Sequence, residues 1–202
     1  MVVFDATMLM LLIRPDAGKP IDSTTGEPVD HVMERIAHFV AKCDKAKMRI
    51  GIPTPVLSEV LVRSGPVAAK IVEKIKEFSV FEVLPFDELS AIEVALMTKA
   101  ALDEGDKKSG STDIWSKIKY DRQIVAIART RQASAIYTDD GGLRIIAQRL
   151  NIEVVGIAGL DLPPEKAQGV LQFEAPKDHS NEPTLEEIEQ ARAADADATG
   201  PT

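Results

Sequence analysis

The sequence predicts an α/β fold: a central, mostly parallel five-stranded sheet with helices on both faces. Two observations carry that expectation. Five short apolar runs alternate with longer segments of helical composition, the pattern of parallel strands joined by crossover helices. The first run, Val2-Val3-Phe4, ends directly on Asp5. That puts a carboxylate at the carboxyl end of a strand, the edge where open α/β sheets bind ligands.

The elements follow in order. Met8 to Leu12 has helical composition, and Asp5 or Thr7 is suited to cap it. Residues 14–30 hold three prolines and two glycines and read as a long surface loop. Asp30 is the expected cap of a helix over 31–47, with Val32, Ile36, Phe39, Val40 and Cys43 on one stripe. Residues 49–52 form the second strand. Thr54 followed by Pro55 predicts an N-cap and a proline at the first helical position. That helix carries Glu59 and breaks at Gly65-Pro66. The next, over 67–78, turns Ile71, Val72 and Ile75 inward. A third strand covers 79–84, and Asp87 or Ser90 caps a long helix to about residue 102. After a polar loop over 103–112, a helix over 114–131 contains Asp121. The fourth strand, 135–138, runs into Asp139-Asp140-Gly141-Gly142. A helix over 143–150 and a strand over 152–155 complete the fold.

Composition limits what such a chain can do. With 202 residues, 45% of them hydrophobic, one domain with a real core is favoured over two. That domain is read as residues 1–173, followed by an acidic tail over 174–202. The tail has eight acids against two bases and so carries −6 of the net charge of −8. Its few apolar residues cannot offset the entropy of ordering, which predicts disorder, with transient helix over 184–192. The remaining −2 leaves a polyanionic partner open. Aromatics at 4% argue against base-stacking platforms. The single cysteine, Cys43, rules out a disulfide framework and suggests a cytoplasmic protein. His31 and His38 have no third partner at zinc-ligand spacing. The apolar start, residues 1–13, is interrupted by Asp5, follows no basic segment and is too short to span a bilayer. No signal peptide and no membrane segment are expected.

Four acidic positions stand out: Asp5, Glu59, Asp121 and the Asp139-Asp140 pair. Each has an ordinary explanation. Asp5 can cap a helix, Glu59 can be a solvated helix acid, and Asp121 can pair with Lys117 four residues earlier. Asp139-Asp140-Gly141-Gly142 can be a turn and a cap.

Taken together, their order and contexts resemble the PIN-domain nuclease family. The residues carrying the resemblance are Asp5-Ala6-Thr7 and Glu59 in Pro55-Val-Leu-Ser-Glu59-Val. They continue with Asp121-Arg-Gln-Ile-Val-Ala126-Ile-Ala128 and Thr138-Asp139-Asp140. The resemblance covers about residues 1–156. It implies a three-layer α/β/α fold and metal-dependent hydrolysis of phosphodiester bonds in single-stranded RNA, as in VapC-like ribonucleases. It assigns Asp5, Asp121 and Asp140 as metal ligands, with Asp139 the ambiguous neighbour, and Glu59 as a ligand or water-orienting residue. Thr7 and Thr138 would hydrogen-bond the carboxylates or the substrate, and Lys117 and Arg122 would meet phosphate. Mg²⁺ or Mn²⁺ is the implied cofactor, since hard divalent cations take oxygen ligands. A homodimer and an antitoxin partner are also implied. The chain departs from compact VapC-type toxins in its 14–30 loop, its 103–112 loop and its tail.

Two other classes remain at this stage. A haloacid-dehalogenase-like phosphatase also opens with a strand-ending Asp, but needs a second Asp where this chain has Thr7. A non-catalytic scaffold binding RNA or protein would not need the intact acids.

Overall fold

The computed structural model describes residues 1–14, 18–22 and 25–167, and Met1–Lys166 form one compact unit. The acidic tail lies outside the described residues. The sheet contains β1 (Val2–Phe4), β2 (Ile50–Pro53), β3 (Phe81–Leu84), β4 (Ala135–Tyr137) and β5 (Glu153–Val155). Their order is β3-β2-β1-β4-β5, and every pairing is parallel. β1 is the central strand and all three of its residues are buried. Burial on both faces explains its unbroken apolar run. The chain winds from β1 outward through β2 to β3, then returns to lay β4 on the other side of β1. That reversal leaves a crevice beyond the carboxyl ends of β1 and β4.

The helices are α1 (Ala6–Ile13), α2 (Val32–Lys45), α3 (Thr54–Ser64), α4 (Ala68–Glu77), α5 (Glu88–Asp103), α6 (Trp115–Thr130) and α7 (Gly141–Arg149). Strand alternation sorts side chains into two cores. Val3, Ile52 and Ile136 join Val56 and Val60 of α3, Ile71 and Ile75 of α4, Val125 of α6 and Ile146 of α7. Val2, Phe4 and Ile50 join Ile36 and Cys43 of α2 on the opposite face. α1 contributes to both, Leu9 to the first and Met8 to the second. The result is three layers, α/β/α. In the middle of the sheet, a side chain at Gly51 would collide with Leu84, so glycine there lets β2 and β3 share one packed surface.

Two expected caps are not made. Asp30 does not cap α2; the residue at that position is His31, in the left-handed region at φ 56° with no side-chain cap. The Asp30 carbonyl instead accepts from Arg35 Nε at 3.0 Å. Thr54 is the first residue of α3 rather than its cap. Its hydroxyl accepts from the Phe86 N–H at 3.0 Å, tying the end of β2 to the chain leaving β3. Asp87 does cap α5, accepting from Ser90 N–H at 2.9 Å. Gly65-Pro66 ends α3 in a single 3-10 turn, Gly65–Val67, before α4 begins. Among the described residues no helix is long and apolar enough to cross a membrane.

Candidate active site

The acids reach the crevice because of the local structure around each. Asp5 follows β1 and caps α1, accepting from Met8 N–H at 2.8 Å. Asp140 follows β4 and caps α7, accepting from Leu143 N–H at 3.0 Å. Capping fixes each carboxylate at a helix N-terminus, at the sheet's carboxyl edge. Thr138 joins the two. Its hydroxyl donates to Asp5 Oδ2 and accepts from Asp140 N–H at 2.9 Å. Asp121 enters from α6 and pairs with Lys117 at 3.1 Å. The ordinary roles considered for these acids are therefore real, and they are also what aims the carboxylates.

A cleft of about 590 Å³ opens there, lined by Asp5, Thr7, Glu59, Lys117, Asp121 and Asp140, among others. At its edge Asp121 and Asp140 meet Asp113, which lines an adjoining recess, each offering an oxygen within 4.8 Å of the others. Asp5 and Glu59 line the same cleft outside that tightest group. Glu59 pairs with Arg63 one turn on at 2.7 Å, and Arg63 also lines the cleft.

The electrostatics are strained. Burial raises the Asp5 pKa to about 7, although the Met8 N–H and Thr138 hydroxyl pull it down; the charges of Asp140 and Asp139 add to the rise. Burial likewise raises Asp121 to about 6, against the favourable contact with Lys117. Burial alone would lower the Lys117 pKa, but hydrogen bonds to Asp140, Asp113 and Asp121 outweigh it and hold the ammonium above its ordinary value. Asp113 is held below the usual range, chiefly by its bond to Lys117.

Three residues singled out from the sequence lie away from the cleft surface. Asp139 does not line the cleft. Its Oδ1 accepts from Ile157 N–H at 3.1 Å, and its Oδ2 is buried without a partner. A side chain at Gly156 would come within 2.5 Å of Oδ1, so the carboxylate is tucked against backbone. Arg122 is 1% exposed and cannot meet a phosphate in the cleft. It donates to the Lys107 carbonyl at 2.7 Å, Ser109 Oγ at 3.0 Å and Thr98 Oγ1 at 3.1 Å, fastening the 103–112 loop to α5 and α6. Thr138 is fully buried. Its hydroxyl bonds the Asp5 carboxylate and the Asp140 N–H, the first of the two roles expected for it.

Two residues escaped sequence reasoning. Arg63 stands one helical turn after Glu59. Asp113, Lys117 and Asp121 stand four apart; Lys117 and Asp121 share one face of α6, and Asp113 lies just ahead of that helix, in reach of Lys117 at 2.9 Å. The spacing was the available signal for Asp113.

A three-layer α/β/α domain whose parallel sheet brings strand-end and helix acids into one crevice has the fold of the PIN domain. Solved VapC-containing structures match it. The chain aligns with one from Rickettsia felis, described as VapBC2 bound to a DNA fragment from their promoter, at 15% identity and TM-score 0.51. The match covers 77% of this chain and 98% of that one. A DNA-bound VapBC from Salmonella typhimurium matches at 18% identity and TM-score 0.50, over 77% and 97%. No family model matches the sequence, and no curated protein does. The likeness is one of fold.

Proposed function

We propose that this protein is a divalent-metal-dependent ribonuclease of PIN type, hydrolysing phosphodiester bonds in single-stranded RNA. The observation that carries the reading is the convergence of Asp5, Asp121 and Asp140, from three separate elements, on one cleft of a PIN-like fold.

The donor set fits Mg²⁺ or Mn²⁺. All its atoms are carboxylate oxygens, the ligands hard divalent cations take, and a lysine ammonium already sits among them. Asp121 and Asp140 would hold the ion, with Asp113 and Asp5 beside them. When bound, such an ion stabilises charge developing on the phosphodiester and acidifies water. The remaining chemistry belongs to the chain. Thr138 keeps the Asp5 and Asp140 carboxylates in register, and Glu59 orients water at the cleft wall. Arg63 and Lys117 supply positive charge for the RNA backbone, where contacts position a strand without reading its bases.

The wider reading is a VapC-like protein with an antitoxin partner, because both structural neighbours are VapBC assemblies. Self-association and a cytoplasmic location belong to the same proposal. The exposed apolar side chains of Val62, Val67 and Phe78 offer surface for a protein contact. We also take the domain to run to residue 173, with the acidic segment as a separate tail.

The test is incubation of labelled single-stranded RNA with the full-length protein and Mn²⁺ or Mg²⁺. Cleavage is expected, abolished by chelator and by Asp5→Asn. Phosphate release from a small phosphoester without RNA cleavage would instead identify a phosphatase. RNA binding without any hydrolysis would identify a scaffold.

A further inference from the structure

The ammonium of Lys117 donates to Asp140 Oδ1 at 2.8 Å, Asp113 Oδ2 at 2.9 Å and Asp121 Oδ2 at 3.1 Å. A lysine has three N–H donors, and here each meets a carboxylate. Asp113 lies four residues before it, just ahead of α6, Asp121 lies one turn after it on α6, and Asp140 comes across from the cap of α7. Beside it, the Lys108 ammonium donates to the Asp113 backbone carbonyl at 2.8 Å. One side chain thus acts as counter-ion for three acids.

The assembly is tight. A side chain at Gly142 would collide with Asp113 Oδ2 and come within 3.0 Å of Lys117 Nζ. Yet it is open on one side. The Lys117 side chain is 35% exposed and stands in the cleft wall, on a flexible four-carbon stem. The ammonium and a divalent cation would compete for the same three oxygens, and two cations sharing so small a cluster repel.

We propose that Lys117 is a built-in counter-ion that yields its place to the catalytic metal. In the metal-free protein its ammonium holds Asp113, Asp121 and Asp140 together. On metal binding it swings into the cleft, where a substrate phosphate meets it. Metal affinity is thereby set by competition with the lysine, and each metal ion bound frees one positive charge for the RNA backbone. This inference rests on the nuclease reading and adds to it a coupling between metal and substrate.

The test is titration of the full-length protein with Mn²⁺ in the absence of RNA, followed by the paramagnetic signal of the free ion. Lys117→Met is expected to bind Mn²⁺ about tenfold more tightly than wild type, the scale of three part-exposed ion pairs given up together. Lys117→Arg, which keeps the charge, stays close to wild type. Equal or weaker binding by Lys117→Met overturns the proposal. Since that variant unmasks three acids and loses stability without metal, a second measurement uses the wild type. The Lys117 side-chain resonance in lysine-labelled protein, assigned by its absence from Lys117→Arg, is expected to shift on adding Mg²⁺. A resonance unmoved at saturating Mg²⁺ also overturns the proposal. Metal binding without these Lys117 effects leaves the nuclease reading intact. No metal binding by any of the three proteins removes both.

Discussion

Asp121 and Arg122 are consecutive on α6 and both are buried, at 6% and 1% exposure, but they serve opposite surroundings. A helix turns by about 100° per residue, so one faces the cleft and the other faces the 103–112 loop. Around Arg122, hydroxyl and carbonyl oxygens are arranged to receive its donors. Around Asp121, acids crowd together and share one lysine. The first arrangement is what burial of a charge requires for stability. The second leaves like charges side by side, an unfavourable arrangement unless another cation arrives. Arg122 donates to neutral oxygens, whereas Asp121 shares its single lysine with two further acids.

Paired variants break that comparison most sharply. Asp140→Asn is expected to lower RNA cleavage by about a thousandfold, or roughly 4 kcal/mol of barrier, while the protein stays folded. Arg122→Met should do the reverse. Losing its hydrogen bonds and packing costs about 3 kcal/mol in urea unfolding, with cleavage per folded molecule retained. Equal loss of cleavage in both, at full folding, would erase the distinction between the two neighbourhoods.

A smaller effect is expected from pH. The Asp5 pKa is raised in the folded protein to about 7 from an ordinary value of 3.8. The folded state therefore holds this proton more tightly than the unfolded chain does. Between about pH 4 and 7 the native form binds more protons, so stability in chelator falls as pH rises and levels off above 7. Asp5→Asn, which still caps α1, should flatten that slope. An unchanged slope in the variant would show that Asp5 is not the titrating group.

The smallest effect comes from a third capping acid. Asp87 also accepts a helix N–H, but burial adds little there, and its bonds to Ser90 hold its pKa below the usual range. Asp87→Ala should lower the melting temperature slightly through loss of the cap, with no change in metal response. Thermal unfolding with and without Mn²⁺ separates this cap from Asp5.

Much of this was legible along the chain. The five strands and their parallel sense followed from apolar runs and turn residues, while the grouping of Asp5, Glu59, Asp121 and Asp140 was what the resemblance to the PIN-domain family implied. What escaped depended on contacts distant in sequence. Thr54 and Asp30 have the composition of caps, but Thr54 is taken by the Phe86 N–H and the Asp30 carbonyl by Arg35. Asp139 and Asp140 are indistinguishable as letters, and only the position of the Gly156–Ile157 backbone separates them. Arg122 looks like a surface cation until the 103–112 loop closes over it. Asp113 could have been read from its four-residue spacing to Lys117, but its meeting with Asp140 depends on how α6 and α7 pack.

Gly142 carries a further consequence. Glycine inside a helix costs about 1 kcal/mol relative to alanine, and this one stands in the first turn of α7. The chain accepts the weaker helix because a single methyl group would push Asp113 and Lys117 away from Asp140. Residue 142 is thus a spacer of zero width between two helices. Any change there that strengthens α7 also widens the acid cluster, so improvement of the fold and preservation of the cleft pull this one position in opposite directions.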